Sequence, residues 1–209
     1  MKEYSIITFL VVFTGIFLTS MYNLGSIWLD YRAMNAVNEE LRDIYLGERM
    51  SHNGVELLTI NWEELQSRNE DVVAWVYLPG TRVNHPILEG MDNYEYLHLD
   101  INREQSNAGS IFLEENNSST FEDLNTIIYG HNMLDRTMFS DIDSMARGNI
   151  GVDEAPYVHI YLPNGTVNIY RIVSANMTTI HSDIYYLPVT DLGAFYDLML
   201  EGSVFNVAF

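Results

Sequence analysis

NTIIYGHNMLDRTMF, residues 125–139, is the stretch on which the reading of this chain turns. Asn125 to Tyr129 is a short apolar run with β-branched residues, the pattern of a buried strand. Gly130 interrupts it and leaves His131 just past the strand end. From Asp135 a helix is expected, with Met138, Phe139, Ile142 and Met145 on one face and Gly148 able to stop it. His131 then lies on a loop between two packed elements, where catalytic side chains concentrate. An imidazole titrates near neutral pH and can exchange protons with a nucleophile or a leaving group. On chemistry alone, a structural or solvated histidine is the competing reading.

Working upstream, Asp71 opens the main domain. Val72–Leu78 reads as a strand ended by Pro79-Gly80, and Val83–Leu88 as an edge-like strand, because Pro86 cannot donate to a ladder. Asp92 is expected to cap a short helix, with Glu95 three residues on. Gly109–Leu113 reads as a strand and Glu114–Thr120 as a polar loop. Downstream, Tyr157–Leu162 and Thr166–Val173 form a hairpin around Pro163-Asn164-Gly165. Thr190 caps a last helix carrying Leu192, Phe195, Met199 and Leu200, closed by Gly202. Many short strands with Gly/Pro turns and few helices point to a mainly β domain, a barrel or sandwich.

No charge occurs from Tyr4 to Leu29, and the most apolar part is Ile6–Met21. A helix there can cross a hydrocarbon core of roughly 30 Å. A cleaved signal peptide competes with an uncleaved anchor. The long apolar run, the barely basic MKEY and the absence of a clear cleavage site favour the anchor. Met34, Val37, Leu41, Ile44 and Tyr45 then recur at helical spacing, an amphipathic helix against the domain. Gly47–Gly54 reads as a break. Asn61 and Glu64 form a capping box for a short helix with Trp62 and Leu65 facing inward. The expected organisation is an anchor over 1–29, a helical segment over 30–70 and a β domain over 71–209.

With 209 residues and 47% of them hydrophobic, the chain can build one core plus an appendage. Its net charge of −19 repels phosphate backbones, so no nucleic-acid partner is expected. There is no cysteine, which excludes disulfides, cysteine-ligated zinc and a thiol nucleophile within these residues.

TIIYGHNM followed by DRTMF resembles the histidine motif of class B sortases, membrane-anchored cysteine transpeptidases of Gram-positive bacteria. INWEELQSRNEDVVAWVYLPGT, DNYEYL and GSIFL are similar to family segments in the same order, so the resemblance runs from about Asn61 to the C-terminus. It implies a sortase-like β-barrel outside the cell, with N-terminal helices and a transmembrane anchor. It also implies a thiolate that attacks a threonine carbonyl in the sorting signal of a surface protein. An amine of cell-wall peptide or of a pilin then resolves the acyl-enzyme. By this resemblance His131 is the catalytic acid, Asn93 and Leu97 line the sorting-signal groove, and Ser182, Tyr186 and Leu187 form the wall opposite. For these five the alternative reading is core packing or a turn. The family's cysteine and arginine have no match and would fall after Phe209, so the barrel is expected to be incomplete, with late strands missing. The resemblance implies no cofactor.

The remaining histidines carry less. His85 precedes Pro86 in a strand, His98 falls in a helix, and His159 alternates with Tyr157 and Tyr161 on a solvated face. His131 and Asp135 lack a convincing third metal ligand, and Glu114-Glu115 and Glu122-Asp123 lack the spacing of a calcium loop. The leading expectation is thus a sortase-type transpeptidase chain without its nucleophile. A membrane-anchored module that binds peptides or partners without chemistry is the alternative, and a β-domain of another family is the third.

Overall fold

The computed structural model describes residues 2–52, 55–153, 155–179, 181–185 and 189–205. Its first element, α1 (Lys2–Tyr45), is one helix of 44 residues, about 66 Å long. The apolar stretch and the amphipathic stretch, expected as separate elements, are continuous because nothing stronger than isolated Gly15 and Gly25 interrupts them. An 18-residue window within Ile6–Tyr45 has a mean hydropathy of 1.8 and none of it is buried, so this helix is long and apolar enough to cross a membrane. Its far end docks on the domain. Met34, Leu41 and Tyr45 are buried there, but Ile44 faces solvent and Asn38 is buried instead.

A small hairpin follows, β1 (Met50–His52) and β2 (Val55–Leu57), where only a break is expected from the sequence. Next comes α2 (Trp62–Arg68), with Asn61 as its cap as expected, but without the reciprocal half of a capping box, because the Asn61 backbone N–H donates to the Tyr45 carbonyl at 2.9 Å. The Asn61 side chain accepts from the Glu64 amide at 3.4 Å and donates to the Glu64 carboxylate at 2.8 Å, and Leu65 is wholly buried.

The domain is built on a curled six-stranded sheet. Its strands are β3 (Val72–Tyr77), β4 (Asn84–Leu88), β5 (Ile111–Leu113), β6 (Ile128–Tyr129), β7 (Tyr157–Tyr161) and β8 (Val167–Arg171), in spatial order β6-β5-β4-β3-β7-β8. All pairs are antiparallel except β4–β5. The β7–β8 hairpin is as expected, with Gly165 at φ +85° in its turn. One apolar cluster gathers Ala74, Val76, Leu78, Ile87, Ile111 and Ile160. A second, on the other face, gathers Val72, Trp75, Leu88, Phe112 and Tyr161. Strict alternation would put Val72 with Ala74. The register shifts between them, and that irregularity sends Val72 to the Trp75 face.

Several expectations are corrected. β4 is not an edge strand but lies between β3 and β5. Pro86 is tolerated because pairing with β5 begins only at Ile87. Residues 92–97 form turns rather than a helix. The capping contacts are made, Asp92 accepting from the amides of Tyr94 and Glu95, and the Glu95 carboxylate from that of Met91. The Tyr96 carbonyl, however, is taken by the Ser110 amide at 2.9 Å, so helical bonding cannot propagate. His98 therefore sits in a turn.

The strand over 125–129 shortens to β6. The helix expected from Asp135 is α3 (Ser140–Ala146), because Arg136 and Met138 have φ of 67° and 54°. Gly148, at φ +72°, does close it. His159 is only 3% exposed, since its β7 face packs against Tyr77 and Tyr161. The last helix, α4 (Leu192–Leu200), is capped by Asp191, not Thr190.

Candidate active site around His131

β6 delivers the chain to His131 at the end of the sheet, and Gly130 is what lets it pass. A Cβ on Gly130 would collide with Ile111 Cδ1 and lie 2.7 Å from Phe139 Cδ2. Beyond His131 the chain folds back on itself. Asn132 bridges Met138, and the Phe139 amide donates to the His131 carbonyl at 3.0 Å. Met138 is buried in the core despite its left-handed backbone, which costs about 1–2 kcal/mol and is held by that packing.

The half-buried His131 ring is held from a third direction. Its Nδ1 lies 3.0 Å from the Asn107 carbonyl oxygen. A carbonyl only accepts, so Nδ1 carries the hydrogen and the neutral ring keeps its lone pair on Nε2. The His98 ring stands edge-on at 6.3 Å. The arrangement presents one nitrogen, Nε2, for proton exchange.

Asn93 and Leu97 lie on the turn that leads to His98, the residue of this segment whose ring meets His131. Asn93 is fastened to the Glu114–Glu115 corner. Its amide nitrogen donates to Glu114 at 2.7 Å, and its side-chain oxygen accepts from the Glu115 backbone at 3.0 Å. Glu114 also accepts from the Tyr129 hydroxyl at 2.8 Å and from Asn116 at 2.9 Å. Burial alone would raise the Glu114 carboxyl, but these three donors outweigh it and hold it below the usual carboxylate range. Burial, reinforced by the same carboxylate, pushes the Tyr129 phenol up. Asn93 is thereby linked through Glu114 to Tyr129 in β6, two residues before His131. Leu97 is half-buried against the Trp75-face cluster, and its carbonyl occupies the space that a Cβ on Gly109 would need.

Ser182 lies in a turn leading to a short 3-10 turn, Asp183–Tyr185. Its amide donates to Thr179 and its hydroxyl accepts weakly from Ile184 at 3.5 Å. Asn125, just before β6, donates to the Ile184 carbonyl at 3.3 Å, so this turn stands beside the outer edge of β6. Tyr186 and Leu187 lie outside the described residues. The role of Asn107 has no sequence signal, since the group it offers is a main-chain carbonyl. The Glu114–Tyr129 bond joins residues 15 apart and is equally silent.

The two buried imidazoles differ from His131. His85, in β4 under α1, is 3% exposed, and burial, assisted by the Arg42 charge, pulls it down to about 3. Burial likewise lowers His159. Asp135 accepts from Thr137 and from Asn35 on α1. Among the described residues no group of three or more His, Asp or Glu is placed to hold a metal ion.

No protein-family model matches the chain. It is 28% identical to sortase B of Listeria monocytogenes over 197 residues, 94% of this chain and 80% of that protein. Among solved structures it is similar to a Staphylococcus aureus sortase B–substrate complex, with a TM-score of 0.65 and 29% identity, covering 71% of this chain and 69% of that one. It is also similar to a sortase B complexed with triglycine, with a TM-score of 0.64 and 30% identity, covering 71% and 70% of the two chains. The ordered sortase-like segments, the curled sheet ending in a histidine loop, and these likenesses over most of both partners agree: the chain belongs to the class B sortase family.

Proposed function

We propose that this chain supplies the histidine and the peptide-facing wall of a class B sortase site, acting on the sorting signals of surface proteins. The observation that carries the reading is the Nδ1–H bond of His131 to Asn107, which leaves Nε2 as the exchanging atom. In the transpeptidase reaction an imidazolium protonates the leaving amine as the acyl-enzyme forms, and the neutral ring accepts a proton from the incoming amine. Support for the two substrate classes comes from the relatives, one bound to a substrate and one to triglycine. Asn93 and Leu97 form one wall of the groove, and Ser182, with Tyr186 and Leu187, the other. α1 anchors the domain in the cell membrane as a single pass, with the β domain (71–209) on the extracytoplasmic side. The acceptor is an amine of cell-wall peptide or of a pilin.

These 209 residues contain no cysteine, and a thioester needs one. These residues therefore supply no nucleophile of their own, and the role proposed for them is to bind the sorting signal without forming an acyl-enzyme. The same observation favours a second reading, an anchored module that binds peptides without chemistry. Incubating the full chain in detergent with a class B sorting-signal peptide tests both. We expect saturable binding and no covalent adduct by intact-mass spectrometry. A chain that binds no such peptide contradicts the groove, and an acyl adduct contradicts the inactivity.

A further inference from the structure

The segment of α1 immediately beyond its apolar stretch grips both sides of the His131 loop. Asp30 is the first charged residue after Glu3. Its carboxylate accepts from the Asn107 side chain at 2.6 Å, and the Asn107 carbonyl is the group that takes the His131 Nδ1–H. One turn on, Asn35 donates to the Asp135 carboxylate at 3.2 Å, on the opposite side of the loop. Asn38, buried, approaches the sulfur of Met138 at 3.8 Å. Between them Met34 is buried in the same cluster as Ala108, Ile111 and Met138. Four side chains within nine residues of one helix thus contact the two segments that orient the ring.

We propose that residues 30–38 of α1 are a positioning latch for His131. By holding the Asn107 carbonyl against Nδ1, the latch selects the neutral tautomer that keeps Nε2 open. Asp30, Asn35 and Asn107 are positioning residues and touch no substrate. The latch lies within roughly 14 Å, along one continuous helix, of the end of the uncharged stretch at Leu29. The element that anchors the chain therefore also sets the histidine. This deepens the reading of His131 as the proton-exchanging group and rests on it for its meaning, but its test does not.

The test is the tautomer itself, read from ring nitrogen chemical shifts of the full histidine-labelled chain in detergent micelles above the titration range. His131→Gln assigns the signal. In the unaltered chain Nδ1 is expected to carry the hydrogen. In the double variant Asp30→Ala with Asn35→Ala the Nε2-protonated form should rise several-fold. Asp30→Asn keeps an acceptor for Asn107 and should retain the unaltered ratio, and Asp30→Ala alone, at an exposed position, should fall between. An Nε2-protonated ring in the unaltered chain overturns the proposal, as does a double variant with the unaltered ratio. Merely looser packing of α1 would not discriminate Asp30→Asn from Asp30→Ala. Failure of the chain to bind a sorting peptide would sink the functional reading and leave the tautomer result standing.

Discussion

Two histidines divide this molecule. His85 sits in an interior strand of the sheet, buried under α1 and paired with Val76 of β3. His131 sits at the rim, where β6, among the described residues, pairs with β5 on one side and the chain turns away from the sheet. The side chains are identical and their fates are opposite. At the centre, removal from water keeps the ring neutral and inert. At the rim, one carbonyl fixes one nitrogen and leaves the other without that constraint. The two rings differ in the number of directions from which the protein closes over them.

The comparison is broken most forcefully by substitutions at the centre. Trp75 is wholly buried and its indole N–H donates to Asn84 at 2.7 Å, so Trp75→Ala should lower stability by about 3–5 kcal/mol in chemical denaturation. Acid comes next. The unfolded His85 binds a proton near 6.5, while the folded ring resists down to about 3. Between those values the unfolded state holds more protons, so stability is complete above the unfolded value and falls as pH falls. By pH 5 the loss from His85 alone is about 2 kcal/mol, and His159 adds in the same direction. Asp141, held low by Arg82 against the opposing effect of burial, and Glu114 add their losses only as pH falls below their unfolded values of 3.8 and 4.5. His85→Gln should flatten the decline between pH 6.5 and 5, and an unchanged slope in denaturation midpoints would refute the sealed-ring account.

At the rim the effects shrink. Gly130→Ala must displace both Ile111 and Phe139 and should cost about 1–2 kcal/mol, with the His131 loop shifting in its backbone resonances. His131→Gln is the smallest, under about 1 kcal/mol. A loss as large as that of Trp75→Ala would make His131 a core residue and erase the contrast.

The sequence discloses the centre better than the rim, for a physical reason. Burial on both faces writes itself into apolar runs such as VVAWVYL, and turn chemistry marks the β7–β8 hairpin. Asn61 announces its helix through a local bond. Pro86 misleads because a proline rule about edges ignores where a neighbouring ladder begins. The β1–β2 hairpin escapes the sequence reading although Asn53-Gly54, a strong turn dipeptide, stands between its strands in the sequence. His159 is misplaced because period-2 alternation does not say which face is covered. At the rim, His131 is legible as a residue on a loop. Its partners are not, since Asn107, Phe139 and Asp30 act through backbone groups or across long separations in the chain.

If the rim around His131 faces peptide, titrating the labelled full chain with a class B sorting-signal peptide, while following individual resonances, should give saturable shifts at His131, Asn93 and Leu97 with His85 unmoved. Shifts that spare His131 and gather elsewhere would contradict it.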